Sequence, residues 1–184
     1  EFSMSFTGLL LLALVSGPAL ALPASSIQAE TQRMEAEITA LAERNAWVGV
    51  DRNYNTMIKK NLQPSTGATK LAATAAMRVG NTWAAYQRFF RALQHDKEAD
   101  VGLQLRTIRS QYGRVDIRRN STNPATLVVN VRSFDPNHNA SLAFSKETLQ
   151  ATGGFNGMLP VGEYTVNGKP FTVIAGLRPT LISL

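Results

Sequence analysis

The spacing of hydrophobic residues predicts a helical N-terminal half. Between about Ser26 and Lys60 they recur mostly at steps of three and four, which is the period of one face of a helix. The pattern predicts either one long helix or two helices joined near Gly49. The positions that carry it are Ile27, Met34, Ile38, Leu41, Trp47, Val50, Tyr54 and Met57.

Three further helices are predicted after a linker. The segment NLQPSTG contains a proline and a glycine and favours a loop. The Ala-rich segment ATKLAATAAMRVG follows and is expected to end near Gly80, where GNTWAAYQRFFRAL begins the next helix. The segment EADVGLQLRTIRSQYG predicts the last helix, with its apolar residues on one side and Arg106 and Arg109 on another.

From Gly113 onward the period changes to that of strands. RVDIRR, TLVVNVRS and TLISL alternate or are rich in β-branched residues, and EYTVNGKPFTVIAG contains two strand-like runs around an Asn-Gly pair. Asn-Gly favours a two-residue hairpin because both central residues of the turn need positive φ. The predicted register places Val166 opposite Lys169 and Tyr164 opposite Phe171. Proline in the second strand predicts a free sheet edge.

A short helix is predicted between the strands. In SKETLQATGG, Ser145 is the expected cap and Gly153 the expected end. The preceding segment FDPNHN has oxygen-bearing side chains at alternate positions, as a calcium loop does. It lacks the glycine and the distal glutamate of that loop, and we interpret it as a turn.

These patterns predict an α+β protein with an N-terminal helical, repeat-like bundle and a small C-terminal antiparallel β-sandwich. The expected division is a signal peptide over residues 1–21, a helical domain over 22–112 and a β-domain over 113–184. One core of useful size or two small ones fit a chain of 184 residues that is 44% hydrophobic.

The first residues resemble an export signal. In FTGLLLLALVSGPALA an apolar run centred on Leu9–Val15 precedes a proline and an Ala-x-Ala site, which predicts cleavage after Ala21. The alternative is a buried first helix, and the run is too short to cross a bilayer. We therefore expect a periplasmic or secreted protein whose mature chain has no transmembrane segment.

The amino-acid composition excludes several kinds of functional site. The formal charge is +6, which suits acidic partners without specifying one. The absence of cysteine excludes disulfides, thiolate nucleophiles and cysteine-bound metals. No Gly-x-Ser-x-Gly elbow or phosphate-binding loop is present, and the two histidines lie far apart in the sequence. We predict no catalytic residue, no metal, no cofactor and no enzyme activity, and a hydrolase ranks third because no nucleophile–base pair is visible.

The helix that begins at Gly80 resembles the second helix of a tetratricopeptide repeat. Gly80, Ala85, Phe89 and Ala92 match the small and aromatic positions of that family, and Ala73 matches the small position of its first helix. The resemblance implies one repeat-like helical hairpin with packed flanking helices, and hence a protein-binding role.

The match to this family is degenerate. Thr69 and Ala76 stand where the family has tryptophan and tyrosine, and Lys97 stands at its late proline. An ordinary helical hairpin with an Ala-rich interface is the alternative.

The segment GMLPVGEYTVNGKPFTV resembles the Leu-Pro-x-Gly-x-Tyr-Thr-Val segment of small envelope-associated β-sandwich modules in exported bacterial proteins. Pro160, Gly162 and Tyr164 carry the match. The resemblance implies a fold and a Gram-negative envelope location, but no activity.

Two groups of residues are candidates for binding. The groove beside the Gly80–Leu93 helix is the expected contact surface. Basic residues are concentrated from the last helix into the first strand, where they form a polyanion site or a solvated basic rim. The candidate binding residues are Trp83, Tyr86, Phe90, Arg106, Arg109, Arg114, Arg118 and Arg119.

The function that fits these features best is non-catalytic scaffolding or protein binding in the cell envelope, with an envelope protein as partner. The alternative is binding of an anionic glycan or lipid head group through the arginines. Nucleic acid is not expected, because an exported chain rarely meets it and no basic groove interleaved with aromatic residues is visible.

Overall fold

The computed structural model describes residues 24–95, 98–118, 125–130 and 133–184, and the predicted signal peptide lies outside them. The described residues form six helices and two small, mostly antiparallel sheets, which confirms the predicted α+β class. The elements in chain order are α1 (Ala24–Glu43), α2 (Trp47–Lys59), α3 (Thr66–Arg78), α4 (Thr82–His95), α5 (Ala99–Gln111), β1 (Tyr112–Arg118), β2 (Leu127–Val129), α6 (Pro136–Thr152), β3 (Phe155–Pro160), β4 (Gly162–Val166), β5 (Lys169–Val173) and β6 (Gly176–Ser183).

The first apolar stripe divides into two helices, α1 and α2. The chain turns at Asn45, which has a φ of 57°; asparagine adopts this left-handed conformation more readily than most residues. Gly49 lies inside α2 and not at the joint. A Cβ atom there would lie 3.2 Å from the Leu41 side chain, so the glycine allows α2 to approach α1 closely.

Helices α3 and α4 pack through small residues, as the sequence predicts. Ala85 and Ala92 of α4 are at most 1% exposed, and Phe89 is buried beside them. The facing helix α3 contributes a stripe of alanines, and small side chains let two helix backbones come close together. The fully buried alanines of α3 are Ala72, Ala73, Ala75 and Ala76.

The turn between α3 and α4 packs against α6. Gly80 has a φ of 88°, and a Cβ atom at this position would lie 2.1 Å from the carbonyl oxygen of Ala140 and 2.9 Å from Cβ of Phe144. Only glycine fits here, because both the backbone conformation and the space exclude a side chain.

The strands form two three-stranded sheets, ordered β3-β1-β6 and β2-β4-β5. All pairs are antiparallel except β1 with β6, a parallel pairing that the sequence did not predict. Only Val161 separates β3 from β4, so one extended stretch supplies a strand to each sheet.

The predicted hairpin is confirmed. Asn167 and Gly168 have φ values of 49° and 79°, and Val166 pairs with Lys169. Tyr164 and Phe171 are cross-strand partners with ring centroids 5.5 Å apart. Strand β5, which contains the proline, is an edge strand as expected.

Helix α6 begins nine residues earlier than the predicted cap. Asp135, rather than Ser145, is the N-cap, and its side chain accepts a hydrogen bond of 2.7 Å from the Asn137 amide. Ser145 is buried within the helix and donates to the Leu142 carbonyl. The interpretation of FDPNHN as a turn was wrong because Asp-Pro is also a favoured helix start, with proline at the first helical position. The predicted end at Gly153 is correct.

Among the described residues, three hydrophobic clusters form the core. One lies among α1, α2 and α3, one lies between α4 and α5, and one joins α6 to both sheets. Tyr112 of β1 and Met158 of β3 belong to the α4–α5 cluster, so a sheet contributes directly to the core of the helical region.

Candidate functional site

An open groove of about 870 Å³ runs between α1, α3 and α5, and the first turn of α6 contributes to its wall. The contributing positions on α1 and α3 lie mainly at steps of three and four, so each helix presents one continuous stripe to the groove. Phe89 is the residue of α4 that reaches it.

The groove combines apolar and polar residues. Leu71, Met77, Phe89 and Val101 provide apolar surface. The polar residues comprise amides and hydroxyls, namely Gln32, Thr39, Ser65, Thr74, Gln104 and Asn137, and four charged side chains, namely Glu35, Lys70, Arg78 and Asp100. A site of this kind suits a ligand that has both apolar groups and hydrogen-bonding groups.

Three carboxamides in the groove have free hydrogen-bonding capacity. The side chains of Gln32, Gln104 and Asn137, from three different helices, form no hydrogen bond to another described residue. A carboxamide can donate and accept at the same time, as a peptide group does.

Polar contacts fix the helices around the groove. Lys70 of α3 lies 2.7 Å from both carboxylate oxygens of Glu98, the residue that precedes α5. Glu35 of α1 accepts a hydrogen bond from the amide of Ser65, whose own hydroxyl caps α3 by accepting from the Ala68 amide. These contacts connect α1, α3 and α5 along the groove.

The predicted aromatic residues lie together outside this groove. Trp83, Tyr86 and Phe90 form a stack along α4, with centroid distances of 5.6 Å and 6.4 Å and nearly parallel rings. Phe90, at the end of the stack, is 48% exposed.

Arg114 covers the other end of the stack. Its guanidinium carbon lies 3.7 Å from the centroid of the Trp83 ring, a cation–π contact, and Nη2 donates to Oδ1 of Asn156. Burial lowers the pKa of Arg114, an effect that the nearby Asp116 carboxylate opposes. The structure therefore brings four predicted residues, Trp83, Tyr86, Phe90 and Arg114, into one contiguous arrangement.

The other predicted arginines contribute less to this arrangement. Arg118 projects from the same face of β1 as Arg114, but its Nη2 lies 2.7 Å from Oδ2 of Asp116, and this hydrogen-bonded carboxylate raises the pKa of Arg118. Arg106 and Arg109 are exposed on α5 and have no ion-pair partner among the described residues. Arg119 lies outside the described residues.

Sequence reasoning did not identify the α1–α3–α5 groove. The stripes on α1 and α3 contain polar residues that an amphipathic pattern assigns to solvent. Only the packing of three helices shows that these residues face a shared concavity. The available sequence clue was a row of threonines and glutamines on the polar flanks, at helical spacing.

The described residues contain no group of three or more histidine, aspartate or glutamate side chains placed to hold a metal ion. Within the same ranges, no helix has the length and apolar character needed to cross a membrane. Comparisons of the chain with known protein families, curated proteins and solved structures found no match.

Proposed function

We propose that this chain is a non-catalytic protein-binding module of an exported envelope protein, in which the α1–α3–α5 groove holds a segment of a partner protein. The observation that carries the proposal is the groove itself, which is about 870 Å³ in volume and open along three helices. The predicted export leader supports the location, and the repeat resemblance supports the role.

The chemistry of the groove fits a polypeptide segment. Apolar side chains of a partner would pack against the half-buried Leu71 and Met77, while Gln32 and Gln104 would pair with its backbone. A ligand that exposes only charge would leave the apolar part of the groove unused.

The packing order of the helices is consistent with a repeat-like role. α1 packs on α2, both pack on α3, α3 packs on α4, and α4 packs on α5. Successive hairpins that contact mainly their neighbours leave one helix of each hairpin to line a shared concave surface.

The alternative function, polyanion binding through arginines, has weaker support. Arg114 is held by Trp83 and Asn156, and Arg118 is paired with Asp116. An anion would have to compete with these intramolecular contacts.

A pair of matched glutamine variants tests the proposal. Gln104 in the groove and Gln94 on α4 outside it are both exposed helical residues. In pull-downs from envelope extract, we expect Gln104→Arg to capture at least tenfold less partner than the wild type, and Gln94→Arg to capture the same amount.

The effect of salt concentration on partner capture distinguishes groove binding from polyanion binding. Raising the salt concentration from about 0.15 M to 1 M shortens the screening length from about 8 Å to 3 Å. Capture by the groove should survive this change. Capture that disappears in 1 M salt and is unaffected by Gln104→Arg would contradict the proposal and favour the polyanion function.

A further inference from the structure

Among the described residues, the edge strands of the two sheets are β3, β6, β2 and β5, and most of them are protected from further pairing. Helix α6 packs against β3, and the Ser141 hydroxyl donates to the Met158 carbonyl of that strand at 3.1 Å. Strand β2 has only three residues, and β5 begins with Lys169 and Pro170. Covering helices, short strands, lysine and proline are common means of blocking a sheet edge.

Strand β6 is protected only in its first part, which contains Arg178 and Pro179. The rest of this eight-residue strand, residues 180–183, has no charged side chain. Leu181 lies in its middle and is 68% exposed. An exposed edge with an apolar centre favours pairing with another strand.

One side of β6 is paired with β1. From Thr180 onward the parallel register is regular, and the Leu184 amide donates to the Arg118 carbonyl at 2.9 Å. Because successive residues of a strand direct their backbone groups to opposite sides, Thr180 and Ile182 also face β1.

The other side of β6 carries the N–H and C=O groups of Leu181 and Ser183. The Pro179 carbonyl also points there, because a planar trans peptide directs it opposite to the next amide. The Ser183 carbonyl accepts a hydrogen bond of 3.0 Å from Nζ of Lys169. Within the described ranges, the remaining groups on this side have no hydrogen-bond partner.

We propose that β6 pairs antiparallel with β6 of a second copy of this chain, with Leu181 opposite Leu181 at the two-fold axis. The two β3-β1-β6 sheets then form one continuous sheet of six strands. In such a contact both copies present the same surface, which must be complementary to itself. The inference is independent of the proposed groove function.

This register uses every outward backbone group of the edge. The two Leu181 residues exchange a pair of N–H···O=C bonds, and their exposed side chains become cross-strand neighbours. Each Ser183 N–H donates to the Pro179 carbonyl of the other copy. The reciprocal bond is missing because proline has no N–H, but the Ser183 carbonyl already accepts from Lys169.

A register centred on Ile182 fits less well. It would place Leu181 opposite Ser183 of the other copy, so the Leu181 amide would meet the carbonyl that Lys169 already occupies. It would also leave the Pro179 carbonyl unpaired. Because polar groups that lose their partners in a contact are costly, the backbone favours the axis at Leu181.

The dimer should depend on protein concentration, because one strand from each copy buries less than the roughly 1,200–2,000 Å² of a standard interface. Sedimentation velocity of the folded chain from about 1 to 500 µM should show a monomer–dimer equilibrium. We expect Leu181→Lys, which places two positive charges face to face, to weaken dimerisation at least tenfold. Leu103→Lys makes the same change at a leucine of α5 that is 52% exposed, and should dimerise as the wild type does.

Three results of this experiment would overturn the proposal. The wild type could remain monomeric over the whole range, or Leu181→Lys could dimerise as tightly as the wild type. Equal loss of dimerisation in both variants would also overturn it, because the loss would then not be specific to β6.

Crosslinking tests the axis without a charged variant, which matters if Leu181→Lys does not fold. The chain has no cysteine, so Leu181→Cys and Leu103→Cys each introduce a single thiol. We expect a short bismaleimide to link Leu181→Cys into a covalent dimer and to leave Leu103→Cys monomeric. Equal crosslinking of both variants, or no dimer from position 181, would overturn the proposal. In envelope extract, a crosslink from position 181 to a different protein in place of the dimer would overturn it in favour of strand addition by that protein.

Discussion

The helical region over residues 24–111 and the strand region over 112–184 are assembled in different ways. In the helical region each helix packs mainly on its neighbours in sequence, and alanines let the backbones approach. In the strand region β1 pairs with residues far along the chain, such as Ile117 with Ile182. Different contacts therefore stabilise the two regions. Single substitutions can compare how much each contact contributes to the free energy of unfolding.

The two regions also meet in different ways at their boundary. Gly80 packs against the backbone of α6, and Met158 enters the α4–α5 cluster. Residues of the strand region therefore complete the packing in the middle of the helical region. In the hairpin turn of the strand region, in contrast, no atom lies within 4 Å of a Cβ built at Gly168.

The largest expected change in stability comes from substituting one of two glycines that have positive φ. Gly80→Ala adds backbone strain and a clash with the Ala140 carbonyl, at 2.1 Å, and should reduce the free energy of unfolding by roughly 3–5 kcal/mol. Gly168→Ala has no atom within 4 Å and adds strain alone, about 1–2 kcal/mol. Chemical denaturation measures both, and equal costs would show that the contact with α6 is unimportant.

The next effect concerns a buried arginine in the helical region. Arg88 is 8% exposed, and its guanidinium donates to Asp51 at 2.6 Å, to the Ala72 carbonyl at 2.7 Å and to Asn55 at 2.9 Å. It therefore connects α4 to α2 and α3, and it also lies over the Tyr54 ring.

Removing this group should leave Oδ1 of Asp51 and the Ala72 carbonyl without the guanidinium, although Oδ2 of Asp51 still accepts from Asn55. We expect Arg88→Met to lower the free energy of unfolding by about 2–4 kcal/mol, somewhat less than for a fully buried pair because Asp51 is partly exposed. The neighbouring exposed Arg91→Met should change it by no more than about 0.5 kcal/mol. If the two variants unfold at the same denaturant concentration, Arg88 does not stabilise the helical packing.

The smallest effect compares two buried tyrosines of the strand region. The Tyr164 hydroxyl donates to Pro160, whereas the Tyr112 hydroxyl has no hydrogen-bond partner among the described residues. Tyr164→Phe should therefore destabilise the fold by about 1 kcal/mol, and Tyr112→Phe should stabilise it or leave it unchanged. Destabilisation by Tyr112→Phe of the same size would contradict this difference.

The same tyrosines predict an alkaline limit of stability. Burial raises the pKa of both, and for Tyr112 the Asp135 carboxylate raises it further. Because the unfolded chain loses these protons first, their contribution to stability is complete below about pH 10 and decreases as the pH rises above it. Denaturant melts between pH 8 and pH 11 should show this decrease, and either Phe variant should reduce it.

The regions also differ in how far the sequence predicts them. The Ala85, Phe89 and Ala92 spacing correctly predicted buried contacts on α4, and the Asn167-Gly168 pair predicted the hairpin and its register. Both depend on local chemistry. The parallel β1–β6 pair and the start of α6 could not be found in the same way, because strand order depends on distant residues and Asp-Pro starts both turns and helices.

The candidate sites show the same difference between features that depend on neighbouring residues and features that depend on distant ones. Residues on one helix, such as Trp83, Tyr86 and Phe90, could be grouped from their spacing, and they do stack. The groove is formed by residues from separate elements. Gln104 looks unremarkable in the sequence, and its proposed role depends on the packing of several helices.

The central claim is that the α1–α3–α5 groove is where this protein contacts a partner, and site-specific photocrosslinking tests it most directly. A photoreactive phenylalanine analogue is placed at Gln104 in the groove, or at Gln94 on the far side of α4 as the matched control, and the chain is irradiated in envelope extract. We predict a discrete crosslinked protein from position 104 that is absent from position 94 and persists in 1 M salt. No crosslink from position 104, or the same crosslinked protein from both positions, would contradict the claim.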